Sequence, residues 1–127
     1  MTIPVNASIR AVPNFLACLR AARSFMVEQD ADSASERFEK LQATIVKARA
    51  LSAFAPTSGR PARLLEARTG WGRFQAQQAV QLAQALGMPE LREVVVARHV
   101  LLYAHSERHV VLLSLRHERQ LSYRLTT

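Results

Sequence analysis

The sequence predicts an α+β fold, a helix hairpin packed on a small, mainly antiparallel β-sheet in the order β-α-α-(α)-β-β. Three observations lead there. Two long stretches in the first half repeat apolar residues at the spacing of a helix face, with only residues 28–32 between them. A loop punctuated by Pro56, Gly59 and Pro61 follows. The last third is dense in Val and Leu and is interrupted by a polar "HSER", the pattern of two adjacent strands. At 127 residues the chain suffices for one domain with its own core, and 49% hydrophobic content excludes disorder by composition.

Ile3, Val5, Ala7 and Ile9 alternate and predict a short first strand, with Pro4 favouring an edge position. Phe15, Leu19, Ala22 and Met26 predict an amphipathic helix over 13–28, with Pro13 in its first turn. Ser33-x-x-Glu36 reads as a capping box, and Ala34, Phe38, Leu41, Ile45 and Ala48 carry a second helix over 34–54. The short link makes the pair an antiparallel hairpin. Val80, Ala83 and Leu86 give a weaker stripe, so 73–86 is a third, Gln-rich helix, capped at Gly87 with Pro89 just beyond. Trp71 reads as its packing anchor. Strands are predicted at 92–104 and 109–117.

With Ser106 and Glu107 at the turn, His105 would face Arg108 and Tyr103 would face Val110. One sheet face then carries Val96, Arg98, Val100, Leu102, Val111, Leu113, Leu115 and His117, and being the more apolar it should meet the helices. The other would offer His99, Tyr103, Ser114 and Arg116 outward. A loop one residue different swaps these assignments, because side chains alternate with period two.

The net charge is +7. Arginine, whose planar fork suits carboxylates and phosphates, supplies all but Lys40 and Lys47 of the cations. Residues 57–127 hold ten cations against five acids, so the basic half is the strand-rich half. An anionic partner is implied, nucleic acid or an acidic protein. No apolar run approaches the roughly 20 residues of a membrane span, and "MTIPVNASIR" lacks the pattern of a signal peptide. A lone Cys18 fits a reducing cytoplasm. His105-x-x-x-His109 spans a turn without Cys or a carboxylate cluster, so no metal is expected; nor is a cofactor. Gly70-Trp71-Gly72 lacks the phosphate-loop pattern.

A helix hairpin, then "GRP" at Gly59–Pro61, "LRE" at Leu91–Glu93, "VLLY" at Val100–Tyr103, and an aliphatic strand ending "RHERQLSY" form an ordered set. In that order these signals resemble the RelE/ParE superfamily of bacterial type II toxins, most closely its ParE-like plasmid-stabilisation branch. The resemblance covers nearly the whole chain. It departs in length: 29 residues separate Pro61 from Leu91, where the family uses about ten, so a segment at about 66–90 with the third helix reads as an insertion. The resemblance implies a growth-inhibiting toxin neutralised by a cognate antitoxin. The superfamily divides by target: ParE-like members bind DNA gyrase, and RelE-like members cut mRNA in the ribosome.

Cutting at a 2′-hydroxyl needs a base, an acid for the leaving oxygen and cations on the phosphate. His117 could supply the acid or base, Arg98, Arg116 and Arg119 the cations, and Tyr123 a stacking ring. The RelE-like branch also carries lysines just before its "LR", where this chain has Met88, Pro89 and Glu90. It carries an arginine three residues before the strand tyrosine, where this chain has Val100. These departures favour the non-catalytic branch. The antitoxin is expected along the helix hairpin, reaching the sheet at Arg92, Arg98, Arg116 and Arg119.

Overall fold

In the computed structural model, which describes residues 4–126, the chain runs β1 (Ser8–Ala11), α1 (Pro13–Gln29), α2 (Ala31–Phe54), β2 (Arg60–Pro61), α3 (Gly70–Ala85), β3 (Glu90–Val96), β4 (His99–His105) and β5 (His109–His117). Short 3₁₀ turns at Pro56–Ser58 and Arg63–Glu66 flank β2. The sheet order is β1-β5-β4-β3-β2. All neighbours are antiparallel except β1 and β5, which run parallel. The α+β class holds, with five strands where the sequence led to three.

The first strand is an edge strand, as Pro4 suggested, but it pairs only from Ser8 onward; Ile3 lies outside the described residues. Val5 N and Ala7 N donate instead to Phe54 O and Ala53 O, at 2.9 and 2.8 Å, so the end of α2 takes the bonds a longer strand would have made. The hairpin link is shorter than predicted. Asp30 alone separates the helices, and its carboxylate accepts from Asp32 N at 3.1 Å and Ser33 Oγ at 2.9 Å. Asp30 is therefore the N-cap, and Ser33 lies inside the first turn; the Ser33–Glu36 box does not form. The Ser33 bond, foremost, holds the Asp30 carboxyl below its usual range. Arg37 braces the reversal by donating to Met26 O at 2.8 Å and Asp30 O at 3.1 Å.

The stretch predicted as one strand over 92–104 is a hairpin. Ala97 and Arg98 take φ of 46° and 65°, and β3 folds back on β4 with Val96 opposite His99. Two successive left-handed residues match the twist of the strands they join. Such turns normally carry Asn-Gly, and Ala-Arg left no mark in the sequence.

The loop between β4 and β5 is longer than predicted. His105 pairs with Val110 and Tyr103 with Leu112, and Ser106 N bonds His109 O at 2.9 Å. A bulge between Leu102 and Tyr103 then shifts the register, so Leu102 faces Ser114, Val100 faces Arg116 and His99 faces His117. Neither predicted face survives intact. Every residue of β4 is buried, so the sheet is covered on both sides. The hairpin meets the side carrying Leu112, where Phe15, Leu19 and Ile45 share a groove with it. That is the side the predicted pairing left open. Glu93, on the side of Leu102, is met by Tyr123, which α3 holds through Gln75. Tyr103, His99 and Ser114, expected outward, are buried.

Beyond Leu112, β5 outruns β1. Val12 N bonds Leu112 O at 3.1 Å and Asn14 Nδ2 bonds Leu113 O at 2.9 Å, so the start of α1 satisfies the free edge. Asn14 Nδ2 and Ser114 Oγ both donate to Arg124 O, which pins the C-terminal tail. The third helix starts at Gly70, where the Thr69 side chain accepts from Gly72 N at 3.0 Å. It stops as predicted at Gly87, with φ of 74°, where Met88 N reaches Ala83 O at 2.8 Å and Gly87 N reaches Gln84 O at 3.0 Å.

Candidate functional site

The β3–β4 turn and the end of β5 lie side by side at one end of the sheet. Glu118 N donates to Arg98 O at 2.8 Å, and the rings of His99 and His117 meet edge to face with centroids 5.1 Å apart. Around them Arg98, Glu118 and Arg119 are exposed and His117 is half-buried. This rim is the candidate site. It gathers Arg98, His117 and Arg119 of the residues singled out from the sequence.

Hydrogen bonds assign the two imidazoles different roles. His99 Nδ1 lies 3.0 Å from Ala97 O, so it carries the proton and leaves Nε2 as an acceptor. His117 Nδ1 accepts from Arg119 N at 3.1 Å, so the neutral ring carries its proton on Nε2. Burial, chiefly, lowers the His99 pKa; the Ala97 carbonyl opposes this and His117 adds to it. His99 is thus a neutral ring beneath a rim with two exposed arginines. Such a rim can hold an anion, and His117 Nε2 can donate to it.

Under the rim lies a closed polar network. Arg116 Nη1 donates to Gln120 O at 2.8 Å, and its guanidinium sits over the Tyr123 ring, 5.0 Å from the centroid. The Tyr123 hydroxyl donates to Glu93 Oε2 at 2.9 Å, and Arg60 Nε binds Glu93 Oε1 at 2.9 Å. Glu93 is only 1% exposed, so both partners are needed to hold its charge in the interior. Tyr123 itself is buried, and burial, followed by the Glu93 carboxylate, pushes its pKa well above the ordinary 10. As placed, the ring offers no face to a base, and the Arg116 fork is spent on the tail.

Arg92 sits elsewhere. It pairs opposite Tyr103 and donates to His105 Nε2 at 3.0 Å and Gly59 O at 2.9 Å, which makes it a brace between β4 and the turn just before β2. His105 Nδ1 lies 3.0 Å from Ser106 O, and His109 Nδ1 lies 2.6 Å from Ser8 Oγ. Among the described residues, no three potential metal ligands come together. None of their helices is long and apolar enough to cross a membrane.

The sequence placed His99 on the outward face, whereas it is buried beneath the rim, and it gave no site role to Glu118, Glu93 or Gln75. Glu93 was partly legible: it stands directly before Val94, Val95 and Val96 in β3, and an acid buried beside such a run needs a partner. Gln75, which exchanges two hydrogen bonds with the Tyr123 backbone, left no such signal.

A second surface lies along the hairpin. Phe15, Leu19, Ile45, Val46 and Leu112 line a groove of about 270 Å³, with Arg10 and Arg49 at its edge. Trp71, expected to pack α3 down, is 65% exposed.

No protein-family model matches the chain, and no curated protein does. Among solved structures, a chain of one described as "Chromosomal ParDE TA system from P. aeruginosa" superposes with a TM-score of 0.55 at 10% identity; the match spans 89% of this chain and 97% of that one. At that identity the likeness is one of fold: this chain is built on the architecture of that ParDE chain.

Proposed function

We propose that this chain is the toxin of a bacterial type II toxin–antitoxin pair of ParE-like kind. It would inhibit growth in the cytoplasm by binding a target protein such as DNA gyrase. The observation that carries the reading is the near end-to-end match in fold to a chain of a ParDE system. The order of sequence signals supports it independently. On this reading residues 66–90 are an insertion in a single toxin domain. The antitoxin takes the apolar groove between Phe15 and Ile45, where Arg10 and Arg49 would pair with its carboxylates. Arg92 and Arg116 are withdrawn from that interface, because both are committed inside the fold.

The rim supports a second reading, a ribosome-dependent mRNA endoribonuclease. It brings His117, Arg98 and Arg119 together, with His99 below. Two features weigh against it: the Tyr123 ring is buried under Arg116, and Val100 stands where that branch has an arginine. Loss of one electrostatic donor alone removes about 3 kcal/mol of transition-state stabilisation.

The test is a supercoiling assay with purified gyrase and this chain. Inhibition is expected, relieved by the acidic antitoxin that this reading places in an adjacent reading frame. Undiminished supercoiling with cleavage of mRNA on added ribosomes would replace the first reading with the second.

A further inference from the structure

α3 turns Gln75, Ala79 and Ala83 inward and leaves Trp71 and Phe74 65% and 52% exposed. The two rings touch, with centroids 5.8 Å apart and planes tilted by 31°, and so form one apolar ridge on the first turns of the helix. Nothing in the packing of α3 requires it, since the helix is held from its other face through the bonds of Gln75 to Tyr123. Arg63, Arg68 and Arg73 are all exposed on the same segment, with Glu66 the one acid among them. Trp and Arg are the side chains that dominate contact energy where proteins meet. The cations beside the ridge select a partner of negative charge.

We propose that the Trp71–Phe74 ridge is a docking surface for an acidic, apolar segment of the antitoxin, separate from the groove on the hairpin. The inference rests on the toxin reading above. A protein segment fits better than single-stranded nucleic acid. Two tilted rings in mutual contact make a ridge that a segment can close over, whereas bases need open, successive faces along a basic track. Two attachment points on one extended partner would also raise its affinity through effective concentration.

Trp71 is the only tryptophan of the chain, so its fluorescence reports on the ridge directly. The toxin reading expects an acidic protein encoded beside this chain's own reading frame, and that protein is the probe, titrated into the purified full chain. A blue shift of Trp71 emission on binding is expected. Trp71→Ala with Phe74→Ala should weaken the complex about tenfold or more with an unchanged melting temperature. Arg68→Glu with Arg73→Glu, which keeps the ridge, should weaken it as well. A complex of unchanged affinity in both variants, with no emission shift, overturns the inference and leaves the toxin reading standing. No complex at all overturns the toxin reading and the inference together. An emission shift with oligothymidylate but not with the acidic protein overturns the inference in favour of a nucleic-acid platform.

Discussion

Tyr123 donates its hydroxyl to Glu93 at 2.9 Å, which ties the C-terminal tail to the middle of the sheet. The bond is to a buried carboxylate, so it is of the stronger, charge-assisted kind. Tyr123→Phe removes the donor and leaves Arg60 as the remaining partner of Glu93. A loss of about 1.5–3 kcal/mol is expected in a urea titration at neutral pH. The same residue sets an alkaline limit. Its folded pKa is raised above the ordinary 10, so the unfolded chain gives up this proton first. The stability it contributes is fully present below pH 10 and is lost as pH rises beyond it. Tyr123→Phe should lack that component of the alkaline decline; an identical slope would contradict the burial argument.

His99 works in the opposite direction. Its folded pKa lies below the ordinary 6.5, mainly through burial, so the unfolded chain takes up the proton first as pH falls. The contribution is fully present above pH 6.5 and is lost as pH drops through the folded value. His117 faces the ring and lowers its pKa further, and Glu118 pulls the other way. Thermal melts on the acid side should therefore fall less steeply for His99→Gln than for the native chain. Parallel curves would show that His99 is not the titrating group.

Arg116 and Arg119 are neighbours in the basic tail with unequal roles. Arg116 donates to the Gln120 carbonyl and covers the Tyr123 ring, while Arg119 is exposed. Arg116→Ala should lower stability by about 1–2 kcal/mol. Arg119→Ala should stay within about 0.5 kcal/mol. Denaturant midpoints of the two single variants check this, and equal midpoints would remove the structural role given to Arg116.

Gly59 sits where a side chain does not fit. A Cβ there would lie 2.6 Å from Tyr103 Oη and 2.9 Å from Glu93 O. Gly59 N also donates to that hydroxyl, which in turn donates to Pro56 O at 2.7 Å. Gly59→Ala must break this knot or shift the backbone, at about 1–3 kcal/mol. A melting temperature equal to that of the native chain would show that the approach is looser than described.

The two hairpin helices and the Gly87 stop were legible because their signals are local. Apolar residues recur every three to four positions, and a left-handed residue after a helix favours glycine. The β3–β4 reversal was hidden, because Ala97 and Arg98 hold left-handed conformations with none of the usual turn residues. The faces of the sheet were hidden for a related reason. One longer loop and one bulge change which side chains share a side, and neither has a local signature. In the candidate site, His117 and Arg119 were found from the C-terminal cluster of charge, and Arg98 as a cation that could join them. The burial of Tyr123 was not, since it depends on Gln75 and Glu93, 48 and 30 residues away.

The most direct test is pulse-labelling of cells that express this chain without an antitoxin. Protein, RNA and DNA synthesis are followed from the moment of induction. Early arrest of DNA synthesis with filamentation, while translation continues, is the expected result. Translation that stops within minutes, with mRNA cut inside codons, or growth that is unaffected, would contradict the account.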